Sequence, residues 1–141
     1  MLAVRRAIRR NAQFISYRAF ASASKVMSVE EAISDMKDGS YLLCGGFGIS
    51  GIPSTIFEGI RDKGIKNLTC VSNNAGIDMT NKETGERRVE GLGMLLETRQ
   101  IKRMVASYIG ENAMFEKLYF GGELEFQITP QGTLAEKIRC G

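Results

Sequence analysis

Apolar positions along this chain fall into short blocks whose spacing switches between a helical and an extended period. Val29, Ala32, Ile33 and Met36 lie on one helical face, and Ser28 followed three places later by Glu31 is the sequence of a capping box. A helix is expected there, ended by Gly39. Residues 41–44, Tyr-Leu-Leu-Cys, are continuously apolar, the pattern of a strand covered on both faces. Pro53 suits the first position of the next helix, Ile56 and Ile60 share a face of it, and Gly64 closes it. A second strand is expected over residues 67–72. Residues 79–90 are polar, charged and without period, so they read as an exposed loop. Packing resumes over 91–96, and a third strand over 102–109 is built around Met104, Val105, Ala106 and Tyr108. Ala113, Met114, Leu118 and Tyr119 give helical spacing over 111–120, stopped by Gly121-Gly122. Leu124, Phe126 and Ile128 alternate with Glu123, Glu125 and Gln127 as a fourth, half-exposed strand. Thr129-Pro130-Gln131-Gly132 is a turn, and a last helix begins at Thr133.

Strands alternating with helices at these intervals predict an α/β fold, a layered αβα arrangement around a mainly parallel open sheet. Ligands of such sheets sit outside the carboxyl ends of the strands. That edge would collect three segments: the glycine turn of residues 45–51, Asn73-Asn74, and the turn at 129–132. The first has four glycines in seven positions, between a strand and a helix start. Glycine lets a ligand approach backbone amides, and a helix start leaves N–H groups unpaired toward an anion.

Charge divides the chain in two. Residues 1–29 carry Arg5, Arg6, Arg9, Arg10, Arg18 and Lys25 and no acid, which leaves 13 basic against 16 acidic side chains for the rest of a chain whose net charge is +3. The folded part is therefore mildly acidic, and a basic nucleic-acid-binding surface is not indicated. Residues 1–28 are rich in arginine and serine and intersperse Leu2, Ile8, Phe14 and Ile15, as in a mitochondrial transit peptide; a basic tail for an acidic partner is the other reading. Residues 29–141 form the single domain. Cys44, Cys70 and Cys140 contain no CxxC pair, so free thiols and no metal site are expected, and the absence of histidine removes Ser-His-Asp and Cys-His triads.

Gly46-Phe47-Gly48-Ile49-Ser50-Gly51 fits G-x-G-x-x-G, a weak signal by itself. A dinucleotide site would place an acid at the end of the second strand, where this chain has Ser72-Asn73-Asn74. A purely structural turn is the remaining plain alternative. Asp38-Gly39, an apolar triplet, Gly45-Gly46-Phe47 and Gly51-Ile52-Pro53 together resemble the signature of family I coenzyme A transferases. The resemblance extends through Val71-Ser72-Asn73-Asn74-Ala75-Gly76, Arg99 to Met104, Tyr108 to Ala113, and Thr129-Pro130-Gln131-Gly132-Thr133-Leu134-Ala135-Glu136. It covers nearly all of residues 29–141 and matches the amino-terminal half of such enzymes. Two departures are Cys44, where an aliphatic residue or Phe is usual, and the stretch 79–90, longer than the family's connection.

The resemblance implies transfer of coenzyme A from succinyl-CoA to a 3-oxo acid such as acetoacetate, in ketone-body catabolism, through a glutamyl-CoA intermediate. It implies acyl-CoA and carboxylic acid substrates, no separate cofactor because coenzyme A is itself a substrate, no membrane after import into the mitochondrial matrix, and a homodimer in the complete enzyme. Gly45, Gly46, Phe47, Gly48, Gly51 and Pro53 match the loop that walls the site. Asn73 and Asn74 match an amide pair near the substrate carboxylate, and Gln131 matches a glutamine that holds the thioester carbonyl oxygen. Backbone capping is the alternative role for the asparagines and helix-terminal solvation for Gln131. The family's nucleophilic glutamate lies in a Ser-Glu-Asn-Gly motif that this chain lacks, and Glu111-Asn112-Ala113 matches a different segment, a helix start. On this reading the domain is incomplete and inactive alone. The alternative is a non-catalytic product that pairs with full-length protomers. Arg99, Lys102 and Arg103 could attract CoA phosphates but read better as a solvated basic face.

Overall fold

The computed structural model describes residues 26–141. The leader expected over residues 1–28 therefore lies almost wholly outside the described residues. The chain runs α1 (Val29–Ala32), β1 (Tyr41–Leu43), α2 (Ser54–Lys63), β2 (Leu68–Val71), β3 (Ile77–Thr80), β4 (Arg87–Glu90), α3 (Gly93–Glu97), β5 (Ile101–Ala106), α4 (Ala113–Phe120), β6 (Glu125–Ile128) and α5 (Gln131–Cys140). This is the expected α/β alternation.

Local chemistry sets most of the boundaries. The capping box forms: Ser28 Oγ accepts from the Glu31 amide at 3.2 Å and Glu31 Oε2 accepts from the Ser28 amide at 3.0 Å. α1 then stops at Ala32, short of the helix to Met36 that its apolar spacing suggested. Lys63 at the end of α2 donates its ammonium to the carbonyls of Ile33 and Ser34, satisfying acceptors that a further helical turn would have used. Pro53 sits one place before α2, as its N-cap, and Gly64 closes the helix with φ +71°. Asn112 caps α4 by accepting from the Phe115 amide at 2.9 Å.

Four strands form one parallel sheet in the order β1-β2-β5-β6. The register places Leu42, Cys70, Met104 and Phe126 side by side, and Leu43, Val71, Val105 and Gln127 side by side one residue on. Because side chains alternate across a strand, these two rows face opposite ways. The first row joins Phe57, Ile60, Leu95, Leu96, Phe115 and Leu118 from α2, α3 and α4 in the hydrophobic core. Buried Gln100 ties this layer together, its Nε2 donating to the carbonyls of Ile60 and Ile65, each at 2.9 Å.

The second row is only partly covered: Val71, Val105 and Gln127 are half-buried and its edge is open. Tyr41 is 75% and Leu43 64% exposed, so β1 is not covered on both faces as its continuous apolar run suggested. The reason is its place at the sheet edge, on a face where α5 is the covering helix among the described residues. Buried Leu134 anchors α5 there, and a groove of about 290 Å³ lined by Leu43, Val71, Val105, Ile138 and their neighbours remains.

Residues 79–90 are likewise not an irregular loop. They belong to an antiparallel hairpin, β3 with β4, in which Asp78 faces Val89 and Thr80 faces Arg87. Asn81 organises its turn: its side-chain oxygen accepts from the Glu83 amide at 2.8 Å and its carbonyl from the Gly85 amide at 2.9 Å. The base is pinned by buried Asp78, which accepts from Arg87 at 2.7 and 3.0 Å and from the Met114 amide at 3.1 Å. These bonds hold the Asp78 carboxyl below its ordinary pKa, with the Arg87 pairing the larger cause. A ribbon carrying polar groups on both sides has no hydrophobic period to betray it.

Candidate functional site

The parallel ladder continues past the strand ends, and this builds the site. The Cys44 amide donates to the Val71 carbonyl at 2.9 Å, Ser72 to Val105 at 3.1 Å, Ser107 to Asn73 at 3.0 Å and Thr129 to Ala106 at 2.9 Å. The residues that follow β1, β2, β5 and β6 are thereby held in step at one carboxyl edge. α5 starts at Gln131, two residues after Thr129, so its first side chain returns to the same edge.

There the amides meet. Asn73 Nδ2 donates to Gln131 Oε1 at 3.0 Å and to Ser107 Oγ at 3.0 Å. Ser107 Oγ in turn lies 3.0 Å from Gln131 Oε1 and 2.9 Å from the Asn73 carbonyl, and its single hydrogen serves either acceptor. Gln131 Oε1 is thus the acceptor for its neighbours, and the Gln131 NH₂ has no hydrogen-bond partner among the described residues. A donor fixed at its other end and free at the edge is suited to meet a carbonyl oxygen or a carboxylate. The cluster carries no formal charge.

Asn73 and Gln131, predicted from sequence, are brought together although 58 residues apart. Asn74 is not part of the cluster: it is buried, and its Oδ1 accepts from the Gly76 amide at 3.3 Å, the backbone-capping role. Ser107 is the member with no signal of its own in the sequence. The expected third strand ran on to residue 109 and hid it, whereas β5 ends at Ala106 and leaves Ser107 after its strand just as Asn73 follows β2. Arg99, Lys102 and Arg103 sit before and at the start of β5, paired with Glu123, Glu125 and Gln127, away from the carboxyl edge.

The glycine turn stands beside this cluster, at the end of the neighbouring strand β1, with no hydrogen bond to it among the described residues. It is a small structured hairpin. Phe47 and Ser50 exchange two backbone hydrogen bonds, of 3.0 and 2.9 Å, around Gly48 and Ile49. Gly46 feeds it with φ +118°, where a Cβ would come within 2.7 Å of Ile52 Cγ2, so both backbone freedom and space require glycine. The Phe47 ring is 76% exposed, presented outward from the edge rather than packed under it. Gly45 and Gly51 bracket the hairpin and Pro53 leads into α2. Among the described residues no group of three or more His, Cys, Asp or Glu is placed to hold a metal ion.

Comparison with known proteins meets this geometry from another side. The chain is 50% identical over 114 residues to one subunit of a probable succinyl-CoA:3-ketoacid coenzyme A transferase of Bacillus subtilis, covering 81% of this chain and 44% of that one. It is 49% identical over 111 residues to the mitochondrial succinyl-CoA:3-ketoacid coenzyme A transferase 2A of Mus musculus, covering 79% of this chain and 19% of that one. It therefore spans less than half the length of either relative. In fold it is similar to a crystal structure of an acyl-CoA transferase from E. coli O157:H7 in a thioester complex with CoA, with a TM-score of 0.63 at 21% identity, over 81% of this chain and 23% of that one. The coenzyme A transferase family profile matches residues 26–141, glycine turn, Asn73, Ser107 and Gln131 included. A nucleotide-binding reading of the glycines gives way to this: the chain belongs to the coenzyme A transferase family.

Proposed function

We propose that this chain supplies one wall of a coenzyme A transfer site, in an enzyme that moves coenzyme A from succinyl-CoA to a 3-oxo acid such as acetoacetate. The observation that carries the reading is the Asn73–Ser107–Gln131 cluster, which offers a positioned, uncharged N–H donor at the sheet edge beside the glycine hairpin. In thioester chemistry negative charge develops on the carbonyl oxygen as a nucleophile adds, and a donor already aimed there lowers the barrier. The Gln131 NH₂ takes that role, with Asn73 and Ser107 as positioning residues that hold its amide. Neutral donors leave the charge of an attacking carboxylate intact, which a lysine or arginine would not.

The attacking carboxylate itself comes from outside this chain, since no Ser-Glu-Asn-Gly motif occurs in it. Coenzyme A enters as substrate and no resident cofactor is needed. The likeness to mitochondrial relatives and the cationic composition of residues 1–28 support a matrix location.

A chimaera tests the reading. Replacing the matching segment of the Bacillus subtilis relative by residues 26–141 is expected to retain acetoacetyl-CoA formation from succinyl-CoA and acetoacetate, and Gln131→Leu in that chimaera should lower kcat about 10²-fold. A folded chimaera without transfer, or one indifferent to Gln131→Leu, would overturn it. The 141-residue chain alone should form no product at an enzyme-like rate. For location, residues 1–30 fused to a fluorescent reporter should label mitochondria, and a diffuse cytosolic signal would sink that part.

A second reading has its own support in the exposed apolar side chains of Tyr41 and Leu43 on β1 and Ile138 on α5, around the groove that Val71 lines. A chain with such a face is suited to pair with full-length protomers as a non-catalytic partner. Co-purification of the tagged chain with a full-length relative, lost on Leu43→Lys, would support it.

A further inference from the structure

The two arms that leave β2 and β5 carry Asn73 and Ser107, and beyond the sheet they are laced to each other. The Ser107 amide donates to the Asn73 carbonyl at 3.0 Å, Asn112 Nδ2 to the Ala75 carbonyl at 3.0 Å, and the Asp78 amide to the Glu111 carbonyl at 3.0 Å. Glu111 holds a left-handed φ of +64°, a conformation that persists in a residue with a side chain only where its surroundings fix it.

Asn112 stands at the middle of this lacing and uses both ends of its amide. Its Oδ1 accepts from the Phe115 amide at 2.9 Å and caps α4, while its Nδ2 reaches back 37 residues to Ala75. Asn112 and Ala75 are each 1% exposed, so a carbonyl left unpaired there would have no ready substitute in water. Asn74 Oδ1 accepts from the Gly76 amide, which folds residues 73–76 into one tight turn. Holding Ala75 therefore holds Asn73.

We propose that Asn112 is a positioning residue of the transfer site, keeping the Asn73 turn in register with the Ser107 arm so that the Gln131 amide stays aimed. This rests on the reading of Gln131 as the donor to the thioester oxygen. Asn112 acts through the Ala75 carbonyl and, being buried, touches no substrate. Without the Nδ2 donor the turn shifts to pair that carbonyl elsewhere, and Asn73 shifts with it. Gln131 Oε1 then loses its fixed partner. A donor displaced in this way weakens the transition state more than it weakens substrate binding.

Hydrogen exchange of the full chain, followed residue by residue by NMR, tests the lacing. In the wild-type chain the Ser107 and Asp78 amides should be protected to within about tenfold of the Ser72 amide, which donates to Val105 in the ladder. Unprotected amides at both positions would overturn the proposal. Asn112→Ser keeps a capping oxygen and lacks the Nδ2 donor. It should speed exchange at Ser107 and Asp78 about tenfold or more and leave Ser72 unchanged. Equal acceleration of all three amides, or none, would overturn the proposal; should this variant not fold, Asn112→Asp removes the same donor and keeps the cap.

In the chimaera described above, Asn112→Ser should lower kcat about tenfold with KM for succinyl-CoA changed by less than about twofold. Added to Gln131→Leu it should lower kcat by less than about twofold more, because both changes disable one donor. A loss of the same size with and without Gln131 would make Asn112 merely structural and overturn its positioning role. A chimaera inactive before any substitution counts against the transfer reading, and the exchange rates then decide whether Asn112 holds the two arms.

Discussion

The two faces of one four-stranded sheet have opposite fates. On one, Cys70 and Met104 are wholly buried beneath α2, α3 and α4; on the other, Leu43 is 64% exposed, with α5 as its partial cover. Both rows are apolar in sequence save for Gln127 at the end of the open one. What separates them is which helices return to which side, and the residues of a strand do not encode that. The buried face supplies stability; the open one supplies the seat of α5, and through it the placement of Gln131.

Four measurements would break or sharpen this contrast. The largest effect is expected from Met104→Ala, which empties a fully buried site on the closed face and should cost about 2–5 kcal/mol in urea unfolding. If the loss is under about 1 kcal/mol, the closed face is not the core. Next comes Gly76→Ala, where the new Cβ would lie 2.1 Å from the Glu90 carbonyl oxygen and the residue would be held at φ +69°. A penalty of about 2 kcal/mol or more is expected, in the same assay, because strain and a backbone clash add.

A smaller effect is expected at the hairpin base. Asp78 is held below its unfolded pKa, so its contribution is present above about pH 4 and is lost as pH falls through the depressed folded value. The wild-type chain should therefore lose urea resistance as pH falls below about 4, and Asp78→Asn should be less stable at pH 7 with a flatter acid profile. Equal slopes for the two proteins would remove Asp78 from the acid response. Smallest of all, Leu43→Ala on the open face should fall within about 0.5 kcal/mol of wild type when the chain is alone. A large loss from this change would mean that something covers the face in solution.

The candidate site was partly legible. The glycine turn, Asn73 and Gln131 follow three strands, and the rule that parallel sheets bind ligands at their carboxyl edge places them together from sequence. Ser107 obeys the same rule but is concealed because Tyr108 and Ile109 continue the apolar pattern past Ala106, where the strand ends. Asn74 is indistinguishable from Asn73 in sequence; only the bond to the Gly76 amide shows that it faces inward. The hairpin of β3 and β4 left no period because its cross-strand pairs are Asp78 with Val89, Met79 with Arg88 and Thr80 with Arg87. Its evidence is long-range, in Asp78 reaching Met114.

By itself the sequence determined what a few neighbouring residues can decide. The Ser28–Glu31 box, the Asn112 cap, the Gly64 and Gly121-Gly122 stops and the order of strands and helices depend on interactions three or four residues apart, and those survive in any context. Tertiary structure alone decided which face of the sheet is closed, that Lys63 takes the carbonyls of Ile33 and Ser34 just beyond α1, and that the Gln131 amide is held by Asn73 and Ser107. Each depends on groups dozens of residues apart, whose meeting is fixed by how the layers pack.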